Sequence, residues 1–209
     1  MMRNDRIHGL FERCANTNRI VIGTAAAVDV PYKGQEYVIS AIKTIAEMHD
    51  VRIDYHVAGA GDQARLRQIA EEYGVQKHLI LEGTIPHIDM FKWFDTLDIY
   101  IQPSLQEGLS RALIEAMSRG LPCIATNVGG NSELINKDYI VQSSNKRRIA
   151  DAIVCRIERL LDLGKMKEQS IRNYNHSESQ FGQHMLEEKR EKFYKTFKMS
   201  ITTHQNHKH

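Results

Sequence analysis

An α/β fold is predicted for this chain of 209 residues: a doubly wound parallel sheet of about six strands with flanking helices and an extra helical segment at the C-terminus. Two observations predict it. Short apolar runs rich in Ile and Val alternate with segments whose apolar residues recur every three or four positions, so strands and helices follow one another in turn. Nearly every apolar run then passes into a loop carrying glycine, and in a parallel sheet those loops share the edge at which ligands bind.

The elements follow in order. Residues 1–18 are mixed and polar, with a short apolar patch at Ile7, Leu10 and Phe11, and read as a lead-in or linker remnant. Residues 19–24 form a strand ending in small residues, Gly23 among them. A loop runs to Pro31-Tyr32-Lys33-Gly34, then a helix carries Val38, Ile42, Ile45 and Ala46 on its apolar side. Residues 52–58 make a second strand; Gly59-Ala60-Gly61-Asp62 turns it into a helix over 63–73, closed by Gly74. A third strand spans 78–82, and Gly83-Thr84-Ile85-Pro86 leads to a short helix with Met90, Phe91, Trp93 and Phe94. The fourth strand, 98–102, feeds a helix from Ser110 with Leu113, Ala116 and Met117 at helical spacing and Gly120 and Pro122 as stop signals. A strand at 121–126, a Gly129-Gly130 turn, a brief helix at 132–135, a short strand at 139–141 and a helix with Ile149, Ile153, Ile157, Leu160 and Leu161 complete a domain over 19–164. The loops with Gly23, Gly59 and Gly61, Gly83, Gly108 and Gly129 are expected on one rim of the sheet.

Residues 165–198 are charged and helical, with Phe181, Met185, Phe193, Tyr194 and Phe197 as candidate buried positions. The basic run Lys189, Arg190, Lys192, Lys195 and Lys198 reads as a solvated face, with a peripheral membrane contact as the alternative. Residues 199–209 read as a disordered polar tail, with metal binding by His204, His207 and His209 as the alternative.

Twenty-eight basic residues against 26 acidic ones leave nothing that demands nucleic acid or an acidic polymer as partner. Cys14, Cys123 and Cys155 lie far apart, so they read as reduced thiols of a cytoplasmic protein and form neither a disulfide frame nor a zinc site. No apolar run approaches the roughly 20 residues that cross a bilayer, and the N-terminus lacks a signal peptide's apolar stretch.

The stretch 107–133 holds the densest set of candidate functional residues. It opens on Glu107-Gly108-Leu109-Ser110-Arg111, reaches Glu115 in the second helical turn, and closes on Val128-Gly129-Gly130-Asn131-Ser132-Glu133. A helix that starts after a strand presents unpaired main-chain N–H groups and the positive end of its dipole, a ready site for an anion such as the diphosphate of a sugar nucleotide. The plainer reading is a solvated ladder, because Arg111, Glu115 and Arg119 stand four apart and could pair for about 0.3–0.5 kcal/mol each. Elsewhere, Gly59-x-Gly61-x-x-Ala64 with Glu82 further on imitates the dinucleotide fingerprint, with Glu82 on an adenosine ribose and an NAD-dependent oxidoreductase as the result. That fingerprint belongs after the first strand of its sheet. Here it follows the second, and it leaves 107–133 without a role.

Taken together, Pro103-Ser104-Leu105-Gln106-Glu107-Gly108, Glu115-Ala116-Met117 and Gly129-Gly130-Asn131-Ser132-Glu133 resemble the family 4 glycosyltransferases of the GT-B fold. The likeness continues upstream through Tyr32-Lys33-Gly34, His56-Val57-Ala58-Gly59-Ala60-Gly61-Asp62 and Leu81-Glu82-Gly83-Thr84-Ile85, in order and spacing over roughly residues 19–142. It implies a Rossmann-like donor-binding domain, one half of a GT-B fold, that binds a nucleoside-diphosphate sugar and works with retention of anomeric configuration. By the resemblance, Glu115 would accept hydrogen bonds from the ribose hydroxyls. Glu107 would face the donor sugar, and the N–H groups of Gly108, Leu109 and Ser110 would hold sugar and phosphate. Lys33 would neutralise the leaving diphosphate, although a solvated loop lysine is the plainer reading of that residue. Thr84 and Ile85, with Gly59, Gly61 and Gly23, would flank the nucleotide.

No Asp-x-Asp motif occurs, so no metal or other cofactor is expected and the leaving group would fall to Lys33 and the helix dipole. Many relatives have an Arg five residues before the loop Lys; here that residue is Val28, and Arg111 is the expected substitute. The acceptor-holding domain of the GT-B pair is not recognisable in the chain. The expected partners are a nucleotide-sugar donor, a carbohydrate or lipid-linked acceptor and a separate acceptor-binding domain or chain, in polysaccharide biosynthesis. A binding or assembly module that has lost catalysis is the alternative, against which the presence of both Glu107 and Glu115 argues.

Overall fold

The computed structural model describes residues 18–142, 144–185 and 187. Six strands form one parallel sheet: β1 (Arg19–Ala25), β2 (Arg52–Ala58), β3 (Leu79–Gly83), β4 (Ile99–Gln102), β5 (Cys123–Thr126) and β6 (Ile140–Val141), in spatial order β3-β2-β1-β4-β5-β6. Between them run α1 (Gln35–Met48), α2 (Ala64–Glu72), α3 (His87–Phe94), α4 (Arg111–Ser118) and α5 (Asn131–Leu134), followed by α6 (Ile149–Leu160) and α7 (Leu163–Phe181).

The chain winds outward from β1 to β3, then returns past β1 to lay down β4 on the other side. Right-handed crossovers therefore put α1 and α2 on one face and α3 to α5 on the other. The later helices complete both layers, α6 packing on α1 and α7 on α4. The sheet is buried from both sides, which is why its central strands are apolar without alternation: Ile22, Tyr55, Ile99, Tyr100, Ile101 and Ile124 are all fully buried. The helices contribute single stripes, Val38, Ile39, Ile42 and Ile45 from α1 and Leu113, Ala116 and Met117 from α4.

The C-terminal helix departs from the sequence expectation. Of the expected apolar anchors, Phe181 and Met185 are half-buried, while Phe193, Tyr194 and Phe197 lie outside the described residues, as do residues 1–17 and the histidine-bearing tail. The face that α7 buries is polar: Gln169, Ser170, Asn173 and Ser177 beside Met166. Ser170 Oγ donates to the Gly120 carbonyl (2.6 Å) and Asn173 Nδ2 to that of Leu121 (2.9 Å). These carbonyls lie just past the end of α4, where a helix runs out of internal donors. Periodicity searches look for apolar stripes, so a helix docked by hydrogen bonds to another helix's end escapes them.

Cys123 is buried with its thiol pushed up by that burial, and Cys155 is exposed; both are free. No helix among the described residues is long and apolar enough to cross a membrane.

Near the amino ends of β1 and β2, the carboxylate of Asp54 is 1% exposed and accepts from Arg19 Nε (2.6 Å) and Arg52 Nε (3.0 Å), with His78 Nδ1 at 3.4 Å. Burial pushes this carboxyl up, but the hydrogen bonds and charges of Arg52 and Arg19 outweigh it and hold the group below the ordinary carboxylate value. Asp54→Asn is expected to lower the unfolding free energy by about 1.5–3 kcal/mol at neutral pH. Because the folded value lies below the unfolded one of about 3.9, this stabilisation is complete above the unfolded value and drains away as pH falls through the folded one. Urea denaturation of the two proteins should therefore show a gap at neutral pH that closes in acid.

Candidate functional site

Between β1 and β4 the winding of the sheet reverses, so the loops leaving these neighbouring strands turn to opposite sides and a crevice opens between them. Two sequence-predicted residues meet across it. The β1 loop ends in a short 3-10 turn, Pro31–Lys33, and Gly34 at φ +73° stops that turn and starts α1. The β4 loop carries Glu107. Lys33 Nζ lies 2.8 Å from Glu107 Oε1, with the two side chains 21% and 15% exposed, so Lys33 is not a freely solvated loop lysine.

The same carboxylate oxygen accepts from Gln102 Nε2 at 3.0 Å. Gln102 closes β4 and is 1% exposed. Its second amide proton goes to Ser104 Oγ (2.9 Å), and its oxygen accepts from the Tyr100 hydroxyl (2.7 Å), which itself accepts from the Ala25 N–H at 3.4 Å. Behind them Tyr55 donates to Thr24 Oγ1, and Thr24 to the Ile101 carbonyl (both 2.8 Å). Burial pushes both tyrosine hydroxyls well above their ordinary value, so they remain protonated donors.

Main-chain bonds stitch the rim together. Ala26 and Val28 donate to Ala58 and Ala60, Gly59 to Gly83, Leu105 to Tyr32 and Gly130 to Gly108, at 2.7–2.9 Å. Gly34 and Gly129 are among the glycines demanded by this closeness. A Cβ on Gly34 would lie 2.1 Å from the Pro103 carbonyl oxygen, and one on Gly129 (φ +51°) 2.2 Å from that of Gly108. Gly108 differs: neither its φ nor any neighbour requires glycine, and the space beside it is open. Among the described residues, the N–H groups of Gly108, Leu109 and Ser110 donate to no acceptor. Ser110 is the N-cap of α4, its hydroxyl accepting from the Leu113 N–H. Leu109 is 54% exposed.

Glu115 stands further along α4, 27% exposed, with His87 Nε2 at 3.5 Å from the start of α3. His87 follows directly on Thr84-Ile85-Pro86, of which Thr84 is exposed and Ile85 packs on the core. The ladder Arg111–Glu115–Arg119 does not form. Arg119 instead forks onto Asp95 (2.9 and 2.7 Å), and among the described residues Arg111 has no ion-pair partner.

One expectation needs revision in place. Gly23 lies inside β1, buried, and its missing side chain makes room for Leu97, so it belongs to the packing and not to the rim. Gly59 and Gly61 abut the β1 loop at Ala26 and Asp29. The imitation dinucleotide loop thus follows β2, off the reversal point, and Glu82 is occupied 2.7 Å from His56 Nδ1. Sequence reasoning missed Gln102, Tyr100 and His87. Of these only Gln102 left a trace, as a polar residue ending an otherwise apolar run; nothing in the sequence marks His87.

Residues 15–176 match the family model described as glycosyl transferases group 1. The protein CapJ of Staphylococcus aureus is 34% identical over 138 residues, covering 65% of this chain and 35% of the relative. An Escherichia coli UDP-Gal:alpha-D-GlcNAc-diphosphoundecaprenol alpha-1,3-galactosyltransferase is 32% identical over 116 residues, 52% of this chain and 28% of the relative. The chain thus spans about a third of the length of these curated relatives. A sucrose-phosphate synthase from Thermosynechococcus elongatus shares the fold at a TM-score of 0.75 and 18% identity, over 92% of this chain and 49% of that one.

The rim geometry has a direct consequence for Gly129. Gly129→Ala is expected to cost more than about 1 kcal/mol, from the strained φ and the clash with the Gly108 carbonyl. Urea denaturation measures the loss, and hydrogen exchange should rise at the Gly130 N–H, which donates to the Gly108 carbonyl, ahead of the sheet.

Proposed function

The chain belongs to the glycosyl transferases group 1 family, and from that premise we propose that it holds the donor side of a sugar-transfer site, binding a nucleoside-diphosphate sugar at the β1/β4 crevice. One observation carries this reading: three N–H groups at the start of α4 that no acceptor among the described residues claims, beside a lysine and a carboxylate that meet across the crevice. Main-chain donors at a helix start favour phosphate oxygens. The glycine at 108, which the fold itself does not require, leaves room for a ligand to reach them.

In this reading the N–H groups of Gly108, Leu109 and Ser110 hold sugar and phosphate. Lys33 neutralises the charge that develops on the diphosphate as the glycosidic bond breaks, without a metal ion. Glu107 faces the sugar and favours positive charge at its anomeric carbon. Glu115 accepts from the ribose hydroxyls, and the Thr84–Ile85 backbone flanks the base. Arg111, exposed in the first turn of α4 and without an ion-pair partner among the described residues, supplies the cation that buried Val28 does not. Transfer proceeds with retention, and the acceptor side comes from a further domain or a partner chain. The relative named for UDP-Gal supports UDP as the first nucleotide to try, and its diphosphoundecaprenol acceptor supports a lipid-linked one.

Calorimetric titration with UDP, GDP and ADP and their hexose conjugates tests the reading. One nucleotide should bind, and Glu115→Ala should weaken it by about tenfold or more, the worth of a charged hydrogen-bonding partner. Arg111→Ala should weaken it about two- to fivefold, as expected of an exposed charge. Binding of no nucleotide, or unchanged affinity in Glu115→Ala, overturns the proposal. Robust sugar transfer by this chain alone overturns the assignment of the acceptor side elsewhere.

A further inference from the structure

Glu107 has two anchors, and both fall on one of its oxygens. Oε1 accepts from Lys33 Nζ and from Gln102 Nε2, while among the described residues Oε2 has no partner. Lys33 alone would leave the carboxylate free to turn about its last bond, because an ammonium is a rotatable point charge. The planar amide of Gln102 adds a second fixed direction. The amide in turn has no freedom of its own. A carboxylate only accepts, so the NH₂ end must face Glu107, and the Tyr100 hydroxyl, kept protonated by its burial, donates to the other end. Every polar atom of Gln102 is engaged, in a strand whose other residues, Ile99, Tyr100 and Ile101, are fully buried.

We propose that Gln102 is a positioning residue for the donor sugar: with Tyr100 holding its amide, it fixes the plane of the Glu107 carboxylate so that Oε2 points at the sugar. The proposal rests on the donor-site reading above and adds a residue to it. Gln102 acts only through Glu107, so it governs the sugar and not the nucleotide. Tyr100 acts at one further remove. Losing its hydroxyl frees the amide to flip, which would set a carbonyl against the carboxylate in part of the population.

The test is the ratio of dissociation constants for the hexose conjugate and the bare nucleoside diphosphate, measured by calorimetry on the full chain with the nucleotide that the wild type binds. Gln102→Met keeps the volume and removes both amide donors. The ratio should shift against the conjugate by about tenfold, the worth of a hydrogen bond to a charged group, while affinity for the bare diphosphate changes by less than about twofold. Tyr100→Phe, which removes one oxygen atom, should shift the same ratio in the same direction by a smaller factor, about three- to fivefold. A merely structural Gln102 would lower the melting temperature and weaken both ligands equally. If the wild type binds and both variants keep its ratio, or lose both ligands in parallel, the positioning role is overturned and the donor-site reading stands. If the wild type binds neither ligand, the donor-site reading falls and this proposal falls with it.

Discussion

The contact on which the rest of the site depends is the pair Lys33 and Glu107, 2.8 Å apart across the point where the sheet reverses its winding. Neighbouring strands elsewhere send their loops to the same side, where they crowd one another. At β1 and β4 the loops part, and the polar groups there meet over a gap. Partial burial makes such a pair matter, since a charge left alone at this depth has lost much of its water without gaining a partner. The surrounding bonds keep the two lips at a distance the side chains can span: Leu105 donates to Tyr32, and the missing side chain of Gly34 lets the Pro103 carbonyl approach.

Around that pair the chain has built rigidity out of main-chain contacts. The ladder of the sheet continues past the strand ends into the loops, which ties the rim to the core. Residues held on such a frame can be placed more closely than residues on free loops. The same logic explains why a buried polar chain from Tyr100 through Gln102 is tolerated: each donor and acceptor is matched, and a matched network specifies one arrangement where a half-matched one would cost stability.

The far side of α4 is held with equal care. Its C-terminal end meets Ser170 and Asn173 of α7, and Arg119 just beyond it forks onto Asp95. The first turn of the helix therefore faces the crevice from a body fixed at its other end. An eight-residue helix has few contacts of its own, so these external ties decide how firmly its N-terminal N–H groups are aimed.

Much of this was legible in the residues. Alternating strands and helices define a doubly wound parallel sheet because a right-handed crossover leaves few other topologies. The residues Glu107, Gly108, Ser110 and Glu115 mark a strand-to-helix loop and a helix start with free main-chain donors. These are local consequences of chain chemistry, and the sequence by itself determined them. What it could not decide is which partner each side chain would take, because partners come from residues far apart in the chain: Lys33 with Glu107, His87 with Glu115, Arg119 with Asp95 and not Glu115. The tertiary structure alone moved Gly23 from rim to core, since Leu97 fills the space beside it, and turned α7's buried face polar, since what lies beneath it is a helix end and not a sheet. Packing sets those outcomes through distance, and distance across a fold is not written in spacing along a chain.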